Sequence, residues 1–294
     1  MCTRNRPDTI EQAVKSVLTN DYPSFDITVI DQSTTAATEN ILRPLLEEDP
    51  HLRYFHVEKP GLSRAYNIGI GRTVGELLAF TDDDCVVPRD WLSTICTAFG
   101  EDVGADLLYG QVLAPVGSDI PGWVTPALAI QRPERFSRRD GFRVLGMGAN
   151  FAARRQLFAT IGGFDEVLGG GGALCSSQDY DLAYRTYLAG RAIMARPEVR
   201  VVHYGTRSPK DWPATLRAYG IGDGAFYFKH VRCRDLFALR LLARQLLSHV
   251  ARALASRVRG RGPGNWTYAR FVLVGIRACL SFDVDRRTRL YKPQ

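Results

Sequence analysis

The stretch Glu76-Leu-Leu-Ala-Phe-Thr-Asp-Asp-Asp84 decides the reading of this chain, because an apolar run there ends in three consecutive carboxylates. Val74 to Phe80 has the length and apolarity of a strand buried on both faces, and the acids begin where the apolar residues stop. Adjacent like charges repel, and at the carboxyl end of a central strand they require a cation, most simply a hard divalent metal. Alternate residues of an extended segment point the same way, so Asp82 and Asp84 can converge on one ion. A solvated acidic turn before a helix opened by Pro88 is the plain alternative, and the triplet alone does not choose between the two.

The triplet sits within an ordered series of short segments. They are CTRNRP at Cys2 to Pro7, VIDQST at Val29 to Thr34, GLSRAYNIGI at Gly61 to Ile70, TDDDCVVP at Thr81 to Pro88, GGFDE at Gly162 to Glu166 and QDYDLAYR at Gln178 to Arg185. Each is weak by itself. In this order, from Cys2 to about Tyr204, they resemble family 2 glycosyltransferases, the nucleotide-sugar-dependent enzymes of the GT-A fold. The resemblance implies an α/β fold of GT-A type, with a Rossmann-like mixed, mainly parallel sheet flanked by helices and a C-terminal helical appendage. The catalytic domain is expected over residues 1–210 and a basic helical region over 211–294. In the family the first motif follows a short apolar strand, whereas Met1 precedes Cys2 directly here, so that strand is expected to be missing at the N-terminus.

The resemblance also implies roles for single residues. Thr3, Arg4, Asn5 and Arg6, with Asp82 and Asp83, fall on the donor side; Asp31 sits where the family contacts the nucleotide base, and Arg64 near the base or diphosphate. Asn150, in GMGANFAA at Gly146 to Ala153, would face the sugar. Mn²⁺ or Mg²⁺ would be held by Asp82 and Asp84 of a DxD motif, completed by His203 at the end of the apolar strand Val199 to His203. The family's usual Glu-Asp pair becomes Gln178-Asp179, which retains Asp179 as the catalytic base; Asp181 is the next candidate. Each assignment has a structural counterpart: Asp31 and Ser33 capping a turn, Arg64 as a surface arginine, the glycines around Asn150 serving strand packing, first-turn carboxylates favouring the helix dipole, and a lone strand-end histidine.

At 294 residues, 45% of them hydrophobic, the chain can bury a full α/β core. No apolar run approaches the roughly 20 residues of a membrane-spanning helix, and no signal peptide opens the chain, so a cytoplasmic protein, peripheral at the inner face of the plasma membrane, is expected. The six cysteines form neither a CxxC pair nor a cluster with histidine, and read as reduced thiols. GIGRTVG at Gly69 to Gly75 lacks dinucleotide-fingerprint spacing, and no GxxxxGK is present, so neither a Rossmann cofactor nor a P-loop is supported. Alternation of strands and helices excludes four-helix and all-β classes.

The remaining elements follow from periodicity and punctuation. Helices are expected over Thr9 to Asn20, from Ser63 as cap to Gly71, over Trp91 to Phe99, and over Gln178 to Leu188 behind Ser176 or Ser177 as cap. Further strands are Ile27 to Ile30, Arg53 to Val57 and Leu107 to Leu113. Residues 114–143 read as an acceptor-binding insertion, and the glycines of 168–173 as a loop that closes over the donor.

The charge is uneven. From Lys229 onward 15 Lys and Arg face 3 acids, whereas residues 1–228 hold 23 against 28. YGIGDGAFYFKH at Tyr219 to His230 offers glycines and aromatics that could seat the acceptor's lipid or sugar end. Leu236 to Val258 carries Leu239, Leu242, Leu246, Val250 and Leu254 on one side and Arg240, Arg244, Ser248 and Arg252 on the other. That is the pattern of a basic amphipathic helix at an anionic membrane surface, or of a surface helix packed on its own domain.

Taken with the resemblance, these features imply an inverting glycosyltransferase moving a sugar from a nucleoside-diphosphate sugar to a glycan or lipid-linked acceptor, in bacterial cell-surface polysaccharide or glycolipid synthesis. A nucleic-acid partner is not expected. A sugar nucleotidyltransferase and a catalytically silent nucleotide-sugar-binding scaffold remain the alternatives.

Overall fold

A computed structural model describes residues 1–118, 120–258 and 264–292; residues 259–263, part of the basic count of the tail, lie outside the described residues. In chain order the elements are β1 (Cys2–Thr3), α1 (Pro7–Leu18), β2 (Ile27–Asp31), α2 (Ala37–Glu48), β3 (Leu52–His56), α3 (Leu62–Arg72), β4 (Leu77–Thr81), β5 (Cys85–Val86), α4 (Trp91–Glu101), β6 (Ala105–Leu113) and β7 (Glu134–Phe136). They continue with β8 (Asn150–Arg154), α5 (Arg155–Ile161), α6 (Gln178–Leu188), β9 (Ala192–His203), α7 (Trp212–Arg232), α8 (Leu236–Val258), α9 (Gly264–Ala278), β10 (Val284–Asp285) and β11 (Leu290–Tyr291). The chain divides into two compact units. One comprises Met1–Pro60, Arg64–Gly163 and Leu182–Thr206, the other Gly61–Ser63, Phe164–Asp181 and Arg207–Gln294.

The first unit is the expected mixed α/β assembly. β2, buried along its whole length, pairs in parallel with β1 on one side and β3 on the other. A second run of strands has the order β4, β8, β6, β9, β5, with β7 also on β9; here β6 and β9 are parallel and the other pairings antiparallel. Cys2 bridges in parallel to Asp82, so β1 lies between β2 and β4. A cavity of about 620 Å³ lies in the same region, lined by Met1, Thr28, Ile30, Leu78 and Phe80 among others.

Helices cover the sheet because their apolar residues fall on one face. Pro7 starts α1 with its φ already fixed, and Ile10, Ala13, Val14 and Val17 are buried; on α4 the buried set is Trp91, Ile95, Ala98 and Phe99. β4 starts later than the apolar run suggests. The Thr73 hydroxyl donates to the Gly69 carbonyl at the end of α3, and Val74 is 81% exposed in the connection.

The second unit holds α7, α8, α9 and the β10–β11 hairpin. The glycines read as an acceptor seat are instead the joint between two helices. A Cβ on Gly220 would lie 2.8 Å from the Tyr268 carbonyl oxygen, one on Gly224 2.0 Å from that of Val272, and one on Gly275 2.0 Å from that of Ile221. Only glycine permits α7 and α9 to approach this closely. Leu242 of α8 is buried against Tyr268 and Val272, with Leu246 beside it, so the middle of the leucine stripe is core. No helix among the described residues is long and apolar enough to cross a membrane.

Candidate active site

In the first unit the site is a set of strand ends and tight turns. β4 stops at Thr81, and the chain turns back at once, with the Cys85 amide donating to the Asp82 carbonyl. The turn buries Asp83 and Asp84 and leaves Asp82 half-buried. Their first counter-ion is internal: Arg6 Nη1 lies 2.9 Å from Asp83 Oδ1 and 2.8 Å from Asp84 Oδ2, while the Thr3 hydroxyl donates to Asp83 Oδ2 at 2.6 Å. Burial pushes the Asp83 carboxyl up, and Arg6 and Thr3 offset part of that rise. Desolvation opposes the Arg6 charge, but Asp83 and Asp84 outweigh it and raise its pKa. The arginine side chain keeps 42% of its surface in water.

β5 pairs antiparallel with β9 so that Cys85 lies opposite His203, which brings Asp84 Oδ1 to 3.3 Å from His203 Nε2. Both side chains are buried, and Asp84 Oδ1 accepts no aligned hydrogen bond. A Cβ on Gly205 would fall 2.2 Å from Asp84 Oδ2 and 2.8 Å from His203 Cε1, so this residue, not singled out from the sequence, leaves the room the pair occupies. The donor atoms of Asp84, Cys85 and His203 lie within 4.8 Å of one another; Asp82 is outside that group, its Oδ1 3.5 Å from the Tyr66 hydroxyl. Burial raises the Cys85 thiol far above its ordinary pKa; for a hard cation the fitting ligands of the three are the Asp84 carboxylate and the His203 imidazole. That set suits Mn²⁺ or Mg²⁺, and the buried Asp84 oxygen without an aligned donor is the observation that fits it.

The loops bearing the other expected donor residues are stitched together. Asn5, at φ 55°, gives its amide to the Ser33 hydroxyl, and its side-chain oxygen accepts from the Thr34 amide. Asp31 is fully buried, accepting from the Tyr54 hydroxyl at 2.7 Å and from the Ser33 amide at 2.8 Å. Arg4 is exposed, and Arg64 is half-buried on α3. Asn150 is committed to structure. Its Nδ2 donates to the Gln111 and Val199 carbonyls across the register shift between β6 and β9, and its Oδ1 accepts from Trp91 Nε1. Gly110 is needed beneath it, since a Cβ there would meet Asn150 Nδ2 at 2.2 Å.

In the second unit Asp179 and Asp181 occupy the first turn of α6, and their surroundings separate them. Asp181 is fully buried, 2.6 Å from Lys229 Nζ and 3.1 Å from His230 Nε2. The same Lys229 reaches Asp165 of the GGFDE motif at 2.6 Å, and Asp165 also accepts the Tyr291 amide. Asp179 remains half-buried. Neither expected serine cap is one: Ser176 donates to the Ala218 carbonyl and Ser177 to Asp223, while Ser63 lies inside α3 and donates to the Leu168 carbonyl. The glycine tract is a series of closed turns, with Gly169 and Gly171 at positive φ and the Gly172 amide bonded to the Gly169 carbonyl.

The model of glycosyl transferase family 2 matches residues 1–162, more than half of the chain. The chain belongs to glycosyl transferase family 2. An uncharacterized glycosyltransferase of Rickettsia conorii is 33% identical over 86 residues, 29% of this chain but only 14% of that protein's length. A glucosyl-dolichyl phosphate glucuronosyltransferase of Haloferax volcanii is 22% identical over 229 residues, covering 72% of this chain and 71% of that one. A mannosyltransferase of Pyrobaculum calidifontis, solved in complex with GDP-Man and Mn²⁺, matches with a TM-score of 0.63 at 18% identity, covering 95% of this chain and 85% of that chain. The fold of this family 2 chain is therefore of the GT-A type.

The buried ion cluster of this family 2 chain carries a prediction for acid. Burial drives the His230 imidazole down from 6.5 to about 4, against the pull of Asp181. Between those values the unfolded chain binds a proton that the folded chain does not, so stability falls as pH is lowered through the window, by at most about 3 kcal/mol. Urea unfolding at pH 7, 5.5 and 4.5 should show that loss in the wild type and a smaller one in His230→Gln. Equal acid slopes would mean that His230 is not its source.

Proposed function

We propose that this chain is an inverting glycosyltransferase that moves a sugar from a nucleoside-diphosphate sugar to a hydroxyl of a lipid-linked or polysaccharide acceptor. The observation that carries the reading is the buried Asp84–His203 pair, 3.3 Å apart and seated against Gly205, at the end of the central strand. This pair would hold a divalent ion, with Asp82 of the same turn as a further ligand only if its side chain left Tyr66, and the bound ion would supply Lewis-acid stabilisation to a departing diphosphate. Arg6 and Thr3 fix the acidic turn. The exposed part of the Arg6 guanidinium suits a second contact to phosphate oxygens.

The acceptor hydroxyl needs a base, and the two first-turn carboxylates are not equivalent candidates. Asp181 is held by Lys229 and His230 and lacks solvent access, so Asp179 takes the role. Attack from the face opposite the leaving group inverts the anomeric carbon. The lipid-linked acceptor is supported by the relative whose name specifies a dolichyl phosphate sugar. The decisive experiment is incubation with a panel of sugar nucleotides and Mn²⁺, reading free nucleoside diphosphate and the anomeric configuration of the product. Release of no diphosphate with any donor, or a retained anomer, would overturn the reading.

The second unit supplies an interface for an anionic membrane, in a cytoplasmic protein peripheral at the plasma membrane. With Leu242 buried and Leu246 partly so, the apolar residues that α8 leaves for a bilayer include Leu236, 78% exposed, Leu247, 71% exposed, and Leu254, 59% exposed. The basic excess after Lys229 adds attraction of about 1 kcal/mol for each residue near the leaflet. The full chain should co-sediment with anionic liposomes at low salt and release as salt rises, and Leu247→Ser with Leu254→Ser should weaken that binding. Unchanged co-sedimentation of the double variant would remove the apolar half of this reading.

A further inference from the structure

Cys175 and Ser177 both occupy the left-handed backbone region, at φ 66° and 70°, just before Asp179. Non-glycine residues carry strain there and persist only when their surroundings over-determine them. For Ser177 those surroundings are explicit. Its buried hydroxyl donates to Asp223 Oδ1 at 2.6 Å. The preceding Ser176 donates to the Ala218 carbonyl at 3.1 Å, and a Cβ on Gly222 would lie 2.1 Å from Ser176 Oγ. The segment is thus pressed directly onto α7.

Asp223 is itself buried in α7, and its other oxygen accepts from Gln245 Nε2 of α8 at 2.9 Å and from the Tyr268 hydroxyl of α9. His249 stacks on Tyr268 with ring centroids 4.0 Å apart. Burial pushes the Asp223 carboxyl up, and its three donors oppose that cost. A helical bundle that needed only packing would be served as well by an apolar residue at this position. Asp223 instead gathers one donor from α8, one from α9 and one from the turn that ends two residues before Asp179.

We propose that Asp223 is a positioning residue for the general base: through Ser177 it fixes the strained turn that presents Asp179, and α8 and α9 act on the reaction by holding Asp223. This rests on the assignment of Asp179 made above. Neither Asp223 nor Ser177 needs to touch substrate.

The test is Ser177→Gly, because glycine adopts this φ without strain and so keeps the fold while deleting the tether. The variant gains the relief of the strained φ but strips one donor from buried Asp223, so it should stay folded with at most a modest loss of stability, and it should bind donor nucleotide unchanged. Its kcat should fall by about 100-fold, the scale on which a 1 Å misplacement of a reacting group acts. Asp223→Asn, where it folds, should lose kcat in the same way. In an Asp179→Asn background, Ser177→Gly should cost nothing further, since both act through one group. Wild-type kcat in Ser177→Gly, a matching loss of donor affinity, or losses that multiply in the double variant would each overturn the proposal. If instead Asp179→Asn alone turns over normally, the base assignment has failed; if Asp179→Asn is inactive and Ser177→Gly normal, only the positioning role has.

Discussion

Asp179→Asn should lower turnover by about 10² to 10⁴ while leaving the donor dissociation constant where it was. Asparagine keeps the shape of the side chain but has no proton-accepting carboxylate. The other carboxylate of the turn cannot take over. Asp181 is buried between Lys229 and His230, and withdrawing it would leave a buried ammonium without one of its two partners. Asp181→Asn is therefore expected to show in stability, and Asp179→Asn in kcat. Steady-state kinetics with a competent donor, paired with calorimetric binding of the nucleotide, separates the two. Near wild-type turnover in Asp179→Asn would place the base elsewhere.

The second large effect is expected at Asp84. Asp84→Ala takes the carboxylate from His203 and leaves Arg6 with Asp83 alone. Changing groups that merely support a metal ligand costs about 10- to 100-fold in metal affinity, so loss of a ligand should weaken Mn²⁺-dependent nucleotide binding by at least that much. In chelator-treated samples the wild type and the variant should bind equally. Gly205→Ala should move in the same direction, because the added methyl would fall on Asp84 Oδ2. Equal nucleotide binding by wild type and Asp84→Ala in excess Mn²⁺ would remove Asp84 from the metal set.

Elements that combine an apolar run with a clear stop were legible in the sequence. β2 is apolar but for Thr28 up to its end at Asp31, α1 starts at Pro7, and β4 runs into the acids, so the α/β order could be read directly. α2 is not legible in the sequence: Leu42 and Thr38 are its buried residues, and Pro44 lies inside it, so its periodic signal is faint. In the sequence the triplet reads as a charge cluster seeking a metal, but its nearest cation is Arg6, 77 residues before Asp83. Local sequence does not encode such a pairing. Gly205 gives no local signal for the same reason, since its value lies in what it leaves empty beside Asp84 and His203. The serines before α6 looked like caps because cap chemistry is local, whereas their partners Ala218 and Asp223 lie more than 40 residues away. In the leucine stripe periodicity identified an amphipathic helix and could not say which leucines a neighbouring helix would cover.

The joint between α7 and α9 is made by main chain against main chain at Gly220, Gly224 and Gly275. Such a joint draws its fit from the absence of side chains, so at those three positions any larger residue would force the helices apart. The outward residues, exposed Trp266 and Leu273 among them, take no part in that joint. Descendants of this chain can therefore exchange their outer surface, and with it what the helices meet, by ordinary point substitution and without first having to repack a core.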